Sequence, residues 1–397
     1  MHRRIVKRVY IGRNEGMKKV LKIVLSIIAI FIVIAIVMGG CIGSKLKKVT
    51  TRPKISENPT VGEWYRITPK QAVNSDGTQW HGLFRKGSEN KVVVYFYGGG
   101  VSTDKYMAAR PEGKSDEGFY NPAVTNDGLE MMGLGSTDKK NPFRNWTMLV
   151  IPYSTADWHC GSGEFEYTDL NGSTKTLYHH GYTNFNFYMQ EAMKYIDTPD
   201  EVLITGFSGG GFGAALLGND TITNYFPTVK NTTVFAEASF LLDDDWNNIA
   251  KNVWHAPDQI TDRLVSNNIT LDSLKALAKD HPNTKILFSS SVRDNALSKY
   301  QNYYSNSIMK ATNEAGDVYQ KNLKEMVRSL QKIPNTGVLI WEGYNDQKGT
   351  NLTGHTLMFM PYFYADDLNG TTMVNWVMSA VNGDVEDHGL ELLDKEY

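Results

Sequence analysis

The residues best suited to chemistry lie in Val202-Leu203-Ile204-Thr205-Gly206-Phe207-Ser208-Gly209-Gly210-Gly211. A β-branched run ends in Gly-x-Ser-x-Gly and small residues follow. A strand that turns sharply into a helix is written this way, because only small neighbours tolerate the strained residue at the apex. Ser208 then stands on the apex with its hydroxyl exposed. Gly209 follows with a backbone N–H that has no partner inside the helix. A glycine-rich turn that merely contains a serine reads the same in isolation, so the reading requires two partners further along the chain.

A serine hydroxyl is a poor nucleophile until a base takes its proton, and the base needs a carboxylate to fix its tautomer. On a strand-turn-helix scaffold the chain order is serine, acid, histidine, each after a strand. Asp294 follows the strand expected at 284–290, and His355 follows the one expected at 338–341. His388 sits among Asp384, Glu386 and Asp387 and reads as a solvated surface group. Asp243, Asp244 and Asp245 compete with Asp294, since they follow a strand at 233–236. A run of carboxylates more often opens a helix, and the strand of Asp294 directly precedes that of the histidine. Asp294 is therefore the expected acid.

Gly98-Gly99-Gly100 closes a buried strand at 91–97. A loop without side chains lets N–H groups approach a developing oxyanion, so Gly99, Gly100 and Gly209 are the expected donors. Trp158 and His159, with Tyr153 and Asp157 of the same segment, follow a strand end on the same sheet edge and are candidates to line a substrate pocket. His159, His179 and His180 show no metal-ligand spacing, and neither a metal nor a cofactor is expected.

These residues need a frame. Strands expected at 91–97, 146–151, 202–206, 233–236, 284–290 and 338–341 alternate with helical patterns at 183–196, after Ser208, at 296–332 and at 371–381. Such alternation predicts an α/β fold, a mostly parallel sheet with helices on both faces. Residues 101–140 read as a surface excursion, and 242–283 as an insertion of short helices.

The net charge of -2 over 397 residues hides an asymmetry. Residues 1–55 hold 13 of the 41 Lys and Arg and one of the 43 acids, which leaves the rest of the chain strongly acidic. An acidic body argues against nucleic acid as a partner. The basic flank precedes an uncharged apolar run at 23–38, about one bilayer crossing or the core of a signal peptide. Gly39-Gly40-Cys41 then resembles a lipoprotein cleavage site, with Cys41 taking the lipid; the alternative is an uncleaved signal anchor. Met17-Lys18-Lys19 looks like an ordinary signal-peptide opening, so Met17 is an alternative start. The expected organisation is a signal or anchor segment at 1–44, a polar tether at 45–60, a catalytic domain at 61–385 and an acidic tail at 386–397. Either N-terminal reading puts the body on the extracytoplasmic face of the cell membrane. Seven Asn-x-Ser/Thr sites fit export, and Cys160 is left as a lone thiol.

Several segments together carry a family resemblance. They are Tyr95-Phe96-Tyr97-Gly98-Gly99-Gly100, Asn141-Pro142-Phe143, Ile151-Pro152-Tyr153-Ser154-Thr155-Ala156-Asp157-Trp158, His180-Gly181-Tyr182-Thr183 and the Ser208 turn. Over residues 61–385 the chain resembles the pectin acetylesterase / Notum family of α/β-hydrolases. That resemblance implies the α/β-hydrolase fold with a nucleophile elbow and lid-like insertions. It also implies carboxylic ester hydrolysis through an acyl-enzyme, with Ser208 as nucleophile, Asp294 as acid and His355 as base. The resemblance also makes Val101, where the family usually has Trp, a candidate for a wall of the acyl pocket, and the chain departs again at Ser154, often Cys. The leading substrate is an acetyl ester on a polysaccharide. A lipase-like or protein-directed deacylase, and a non-enzymatic surface protein on the same fold, are the alternatives.

Overall fold

The computed structural model describes residues 52–114, 117–125, 127–344, 349–364, 368 and 370–397. The expected signal segment, Cys41 and most of the tether lie outside the described residues. Among the described residues no helix is long and apolar enough to cross a membrane.

Ten strands form. They are β1 (Trp64–Ile67), β2 (Gly82–Arg85), β3 (Lys91–Phe96), β4 (Thr147–Ile151), β5 (Gly163–Thr168), β6 (Thr174–His179), β7 (Glu201–Phe207), β8 (Asn231–Glu237), β9 (Lys285–Ser291) and β10 (Thr336–Trp341). Eight of them make one sheet in the order β1-β2-β4-β3-β7-β8-β9-β10. From β4 to β10 every neighbour is parallel, while β1 and β2 are antiparallel at the edge. Every residue of β7 is buried, which suits its Val-Leu-Ile run to the centre of a sheet covered on both faces.

Register places the site. Phe96 pairs with Gly206 and Phe207 pairs with Glu237, so β3, β7 and β8 end together at one edge. The helix Gly209–Tyr225 leaves β7 there, with its first fourteen residues buried. It packs against β7, β8 and β3 on one side and the helix Ile269–Asp280 on the other.

The structure differs from expectation at several elements. The pattern at 296–332 is two helices, Asn295–Asn306 and Asn313–Leu330, broken where Ser307 takes a positive φ of 59°. β5 and β6 form a separate antiparallel hairpin inside a stretch that has no buried run. The compact unit begins at Pro53, ahead of the expected boundary at 61. Ile55 donates to Arg66 O at 3.0 Å and Arg66 donates to Pro53 O at 2.8 Å, so the end of the expected tether pairs with β1. Residues 386–397 are not a free tail either. His388 donates to Val338 O at 2.8 Å and accepts from Ile340 N–H at 3.0 Å, while Leu392 and Leu393 are buried. Strand β10 is the sheet edge, and its unpaired backbone groups need such a cover.

Candidate active site

The turn after β7 sets the geometry. Ser208 has φ 56° and ψ -128°, a strained conformation for a residue with a side chain. The glycines around it are required by close approach. A Cβ at Gly210 would stand 2.1 Å from the Phe96 carbonyl oxygen. Ser208 N–H is held by Glu237 O at 2.9 Å, which ties the apex to β8.

The three residues expected to act together do meet. His355 Nε2 lies 2.7 Å from Ser208 Oγ. His355 Nδ1 lies 2.9 Å and 2.8 Å from the two oxygens of Asp294. Asp294 is fully buried. It also caps the helix Asn295–Asn306, where its Oδ1 accepts the N–H groups of Ala296 and Leu297 at 2.9 and 2.8 Å. Burial pushes its carboxyl above the usual carboxylate range, while His355 and these N–H groups pull the other way. The competing run Asp243, Asp244 and Asp245 lies instead just before the helix Trp246–Asn252, and Asp243 Oδ1 accepts the Asp245 N–H.

The histidine loop is pinned beside the acid. Thr353 N–H donates to Arg293 O at 2.9 Å and Thr353 O accepts from Asn295 N–H at 3.0 Å. Its hydroxyl accepts from Arg293 N–H at 3.0 Å. Only Gly354 separates this short bridge from His355, so the imidazole follows the position of Asp294.

Beside Ser208 lies a narrow cleft lined by Gly99, Gly100, Val101, Trp158, Gly209, Phe212, Leu241, Leu297 and Tyr300. The N–H groups of Gly99, Gly100 and Gly209 meet no protein acceptor among the described residues. Only glycine fits at 100, since a Cβ there would lie 1.7 Å from Phe119 O. The far wall is the stack of Trp158 on Phe212, with ring centroids 3.8 Å apart and planes within 6°. The cavity is about 20 Å³, room for about one water. A cleft of about 480 Å³ elsewhere, around Lys54, Arg66 and Gln190, has no serine, cysteine or histidine in its walls.

Of the five pocket candidates, Val101 and Trp158 reach the cleft. Tyr153, Asp157 and His159 are buried behind it. Tyr153 lies under Gly99, and its hydroxyl accepts the Trp158 N–H at 2.8 Å. Asp157 accepts from Thr155 Oγ1 and from the N–H groups of His159, Gly161 and Gly181. Burial still pushes its carboxyl up to about 6. His159 Nε2–H donates to Tyr97 O at 2.9 Å, and burial lowers its pKa to about 4. The reason is local. Positive φ values at Ala156, Trp158 and His159 fold the segment around Asp157 as a hub, which leaves one side chain, Trp158, facing the cleft. Among the described residues no group of three His, Cys, Asp or Glu could hold a metal ion.

Sequence reasoning missed Phe212, Leu241, Leu297 and Tyr300, whose apolar types look like ordinary core. It also missed Glu237, which is fully buried at the end of β8. A lone carboxylate closing Thr233-Val234-Phe235-Ala236 was the available signal.

The family model described as Pectinacetylesterase matches residues 65–295, a span that includes Ser208 and Asp294 and stops before His355. No curated protein matches the chain in sequence. Among solved structures, the Wnt deacylase Notum from Drosophila is similar with a TM-score of 0.56 and 14% identity, covering 82% of this chain and 95% of that one. At that identity the likeness is one of fold.

Proposed function

The chain belongs to the pectinacetylesterase family of ester hydrolases, and from that premise we propose that it is a serine esterase that removes a short acyl group, an acetyl ester of a polysaccharide first. The observation that carries the reading is the unbroken line Ser208 Oγ to His355 Nε2 to Asp294, at 2.7 and 2.8 Å, beside unpaired main-chain donors.

His355 Nε2 takes the Ser208 proton as Oγ attacks the ester carbonyl. The new C–O bond moves the carbonyl electrons onto oxygen, where the N–H groups of Gly99, Gly100 and Gly209 receive the charge. Each such donor is worth roughly 3 kcal/mol in the transition state. Collapse breaks the ester C–O bond, and the leaving alcohol takes the proton from His355. Water then repeats the sequence on the acyl-serine and releases the acid. Asp294 holds the imidazole in the Nδ1–H tautomer and stabilises the imidazolium.

The cleft supports a short acyl group. About 20 Å³ beside Val101, Leu297 and the Trp158–Phe212 stack is on the scale of a methyl group rather than a fatty chain. The apolar run at 23–38 with Cys41 supports an enzyme tethered at the outer face of the membrane. Hydrolysis of p-nitrophenyl acetate and octanoate by wild type, Ser208→Ala and His355→Ala tests the reading. Wild type should prefer acetate, and each variant should lose on the order of 10⁴-fold or more in kcat. A preference for octanoate would sink the deacetylase assignment. A folded wild type whose Ser208 ignores a fluorophosphonate probe would favour a binding protein instead.

A further inference from the structure

Glu237 touches both halves of the site. Its main-chain oxygen takes the Ser208 N–H at 2.9 Å. Its side chain takes the main chain just after His355: Oε1 accepts the Leu357 N–H at 2.5 Å, and Oε1 and Oε2 accept the Met358 N–H at 3.3 and 3.1 Å. A carboxylate buried this deeply is costly unless it has partners, and two N–H groups of one loop are the partners it has. The loop thus has two anchors around His355. Thr353 ties it to Arg293 and Asn295 on one side, and Glu237 ties it to the end of β8 on the other.

We infer that Glu237 is a positioning residue for the base: it fixes the main chain that carries His355 so that Nε2 stays at Ser208 Oγ, and it places a negative charge near the imidazolium formed when Ser208 gives up its proton. This rests on Ser208 and His355 being nucleophile and base. Asp294 already occupies Nδ1, so Glu237 acts through the loop and through its charge. The titratable groups facing it are His355 and Asp294 across the site and Tyr95 of β3, with Glu130 and Tyr364 around Tyr95. Burial pushes the Glu237 carboxyl up to about 7, against the pull of the Leu357 and Met358 N–H groups and of His355. Its charge is therefore fully present only above that pH. There it favours the imidazolium. Removing it makes the imidazolium less stable, so His355 should remain a competent base to lower pH while the maximal rate falls.

The test is kcat, KM and their pH profiles on p-nitrophenyl acetate, with Tm, for the full chain as wild type, Ser208→Ala, Glu237→Gln and Glu237→Ala. Gln keeps an oxygen for the two N–H groups and removes the charge, whereas Ala removes both. Glu237→Ala should lose roughly hundredfold in kcat with KM within about twofold, the size expected when a reacting group is displaced by about 1 Å. Glu237→Gln should lose about tenfold and move the acidic limb of the kcat/KM profile to lower pH. The inference is overturned if folded variants keep the wild-type kcat and profile, or if only Tm falls. Should Glu237→Ala fail to fold, Glu237→Gln decides. An inactive wild type, or a Ser208→Ala variant as active as wild type, would instead overturn the triad reading beneath this one.

Discussion

Asp294 holds two jobs in one carboxylate, and they can be separated. It faces His355 Nδ1, and its Oδ1 caps the following helix at Ala296 and Leu297. Asn keeps a cap oxygen, but its amide cannot fix the Nδ1–H tautomer. Asp294→Asn should therefore lose on the order of 10³–10⁴-fold in kcat with a Tm close to wild type. Asp294→Ala loses the cap as well and should drop in stability by about 1 kcal/mol more, read by denaturant unfolding. Equal stability of the two variants would show that the cap contributes nothing. The triad residues were legible because their chemistry restricts their types and their order. Ser208 sits in a glycine frame, and His355 is one of two histidines after the last strand. The wall of the cleft was legible only at Val101 and Trp158. Leu241, Leu297 and Phe212 are residues that any core uses, and only the fold brings them to Ser208.

At the scale of elements, the helix Asn295–Asn306 does two things at once. Its cap is Asp294, and its first two turns carry Leu297 and Tyr300 into the cleft. The acid and the acyl wall are thus set by one rigid body, and Tyr300 is braced by donating to Phe119 O at 2.9 Å. Leu297 contributes only its main-chain N–H to Asp294, so shortening its side chain leaves that bond intact. Leu297→Ala should open the cleft and move the preference from acetate toward butyrate and hexanoate, by roughly 1–3 kcal/mol per methylene accommodated. The ratio of kcat/KM across a p-nitrophenyl ester series reads it; an unchanged ratio would mean the acyl group lies elsewhere. This helix shows why boundaries were harder to read than elements. Its apolar spacing runs on past Asn306, and the break at Ser307 needs a backbone conformation that serine type does not announce. The β5–β6 hairpin was missed for a related reason. Glu164, Glu166 and Thr168 alternate with half-buried residues along β5, and that pattern carries little hydrophobic signal.

For the whole molecule, the parallel sheet was legible because its strands are near-continuous apolar runs, as strands buried on both faces must be. The ends of the body were not, since they are polar segments that dock by backbone pairing. His388 lies along β10, and residues 53–55 lie along β1 through Arg66. That second pairing separates two shortened chains that look alike by composition. The compact unit begins at Pro53, so a chain cut before Pro53 keeps the pairing of Ile55 and Pro53 with Arg66. It should be found in the soluble fraction with the kcat and Tm of the full chain's body. A chain cut before Val61 exposes the outer edge of β1, whose N–H and C=O groups then seek other partners, and it should show a lower Tm and a tendency to aggregate. The full chain carries the apolar run at 23–38 and Cys41, and it should fractionate with membranes. Recovery of the full chain in the soluble fraction with residues 1–40 still attached, read by intact mass, would overturn the tether. Equal Tm for the two shortened chains would overturn the edge-strand argument without touching it.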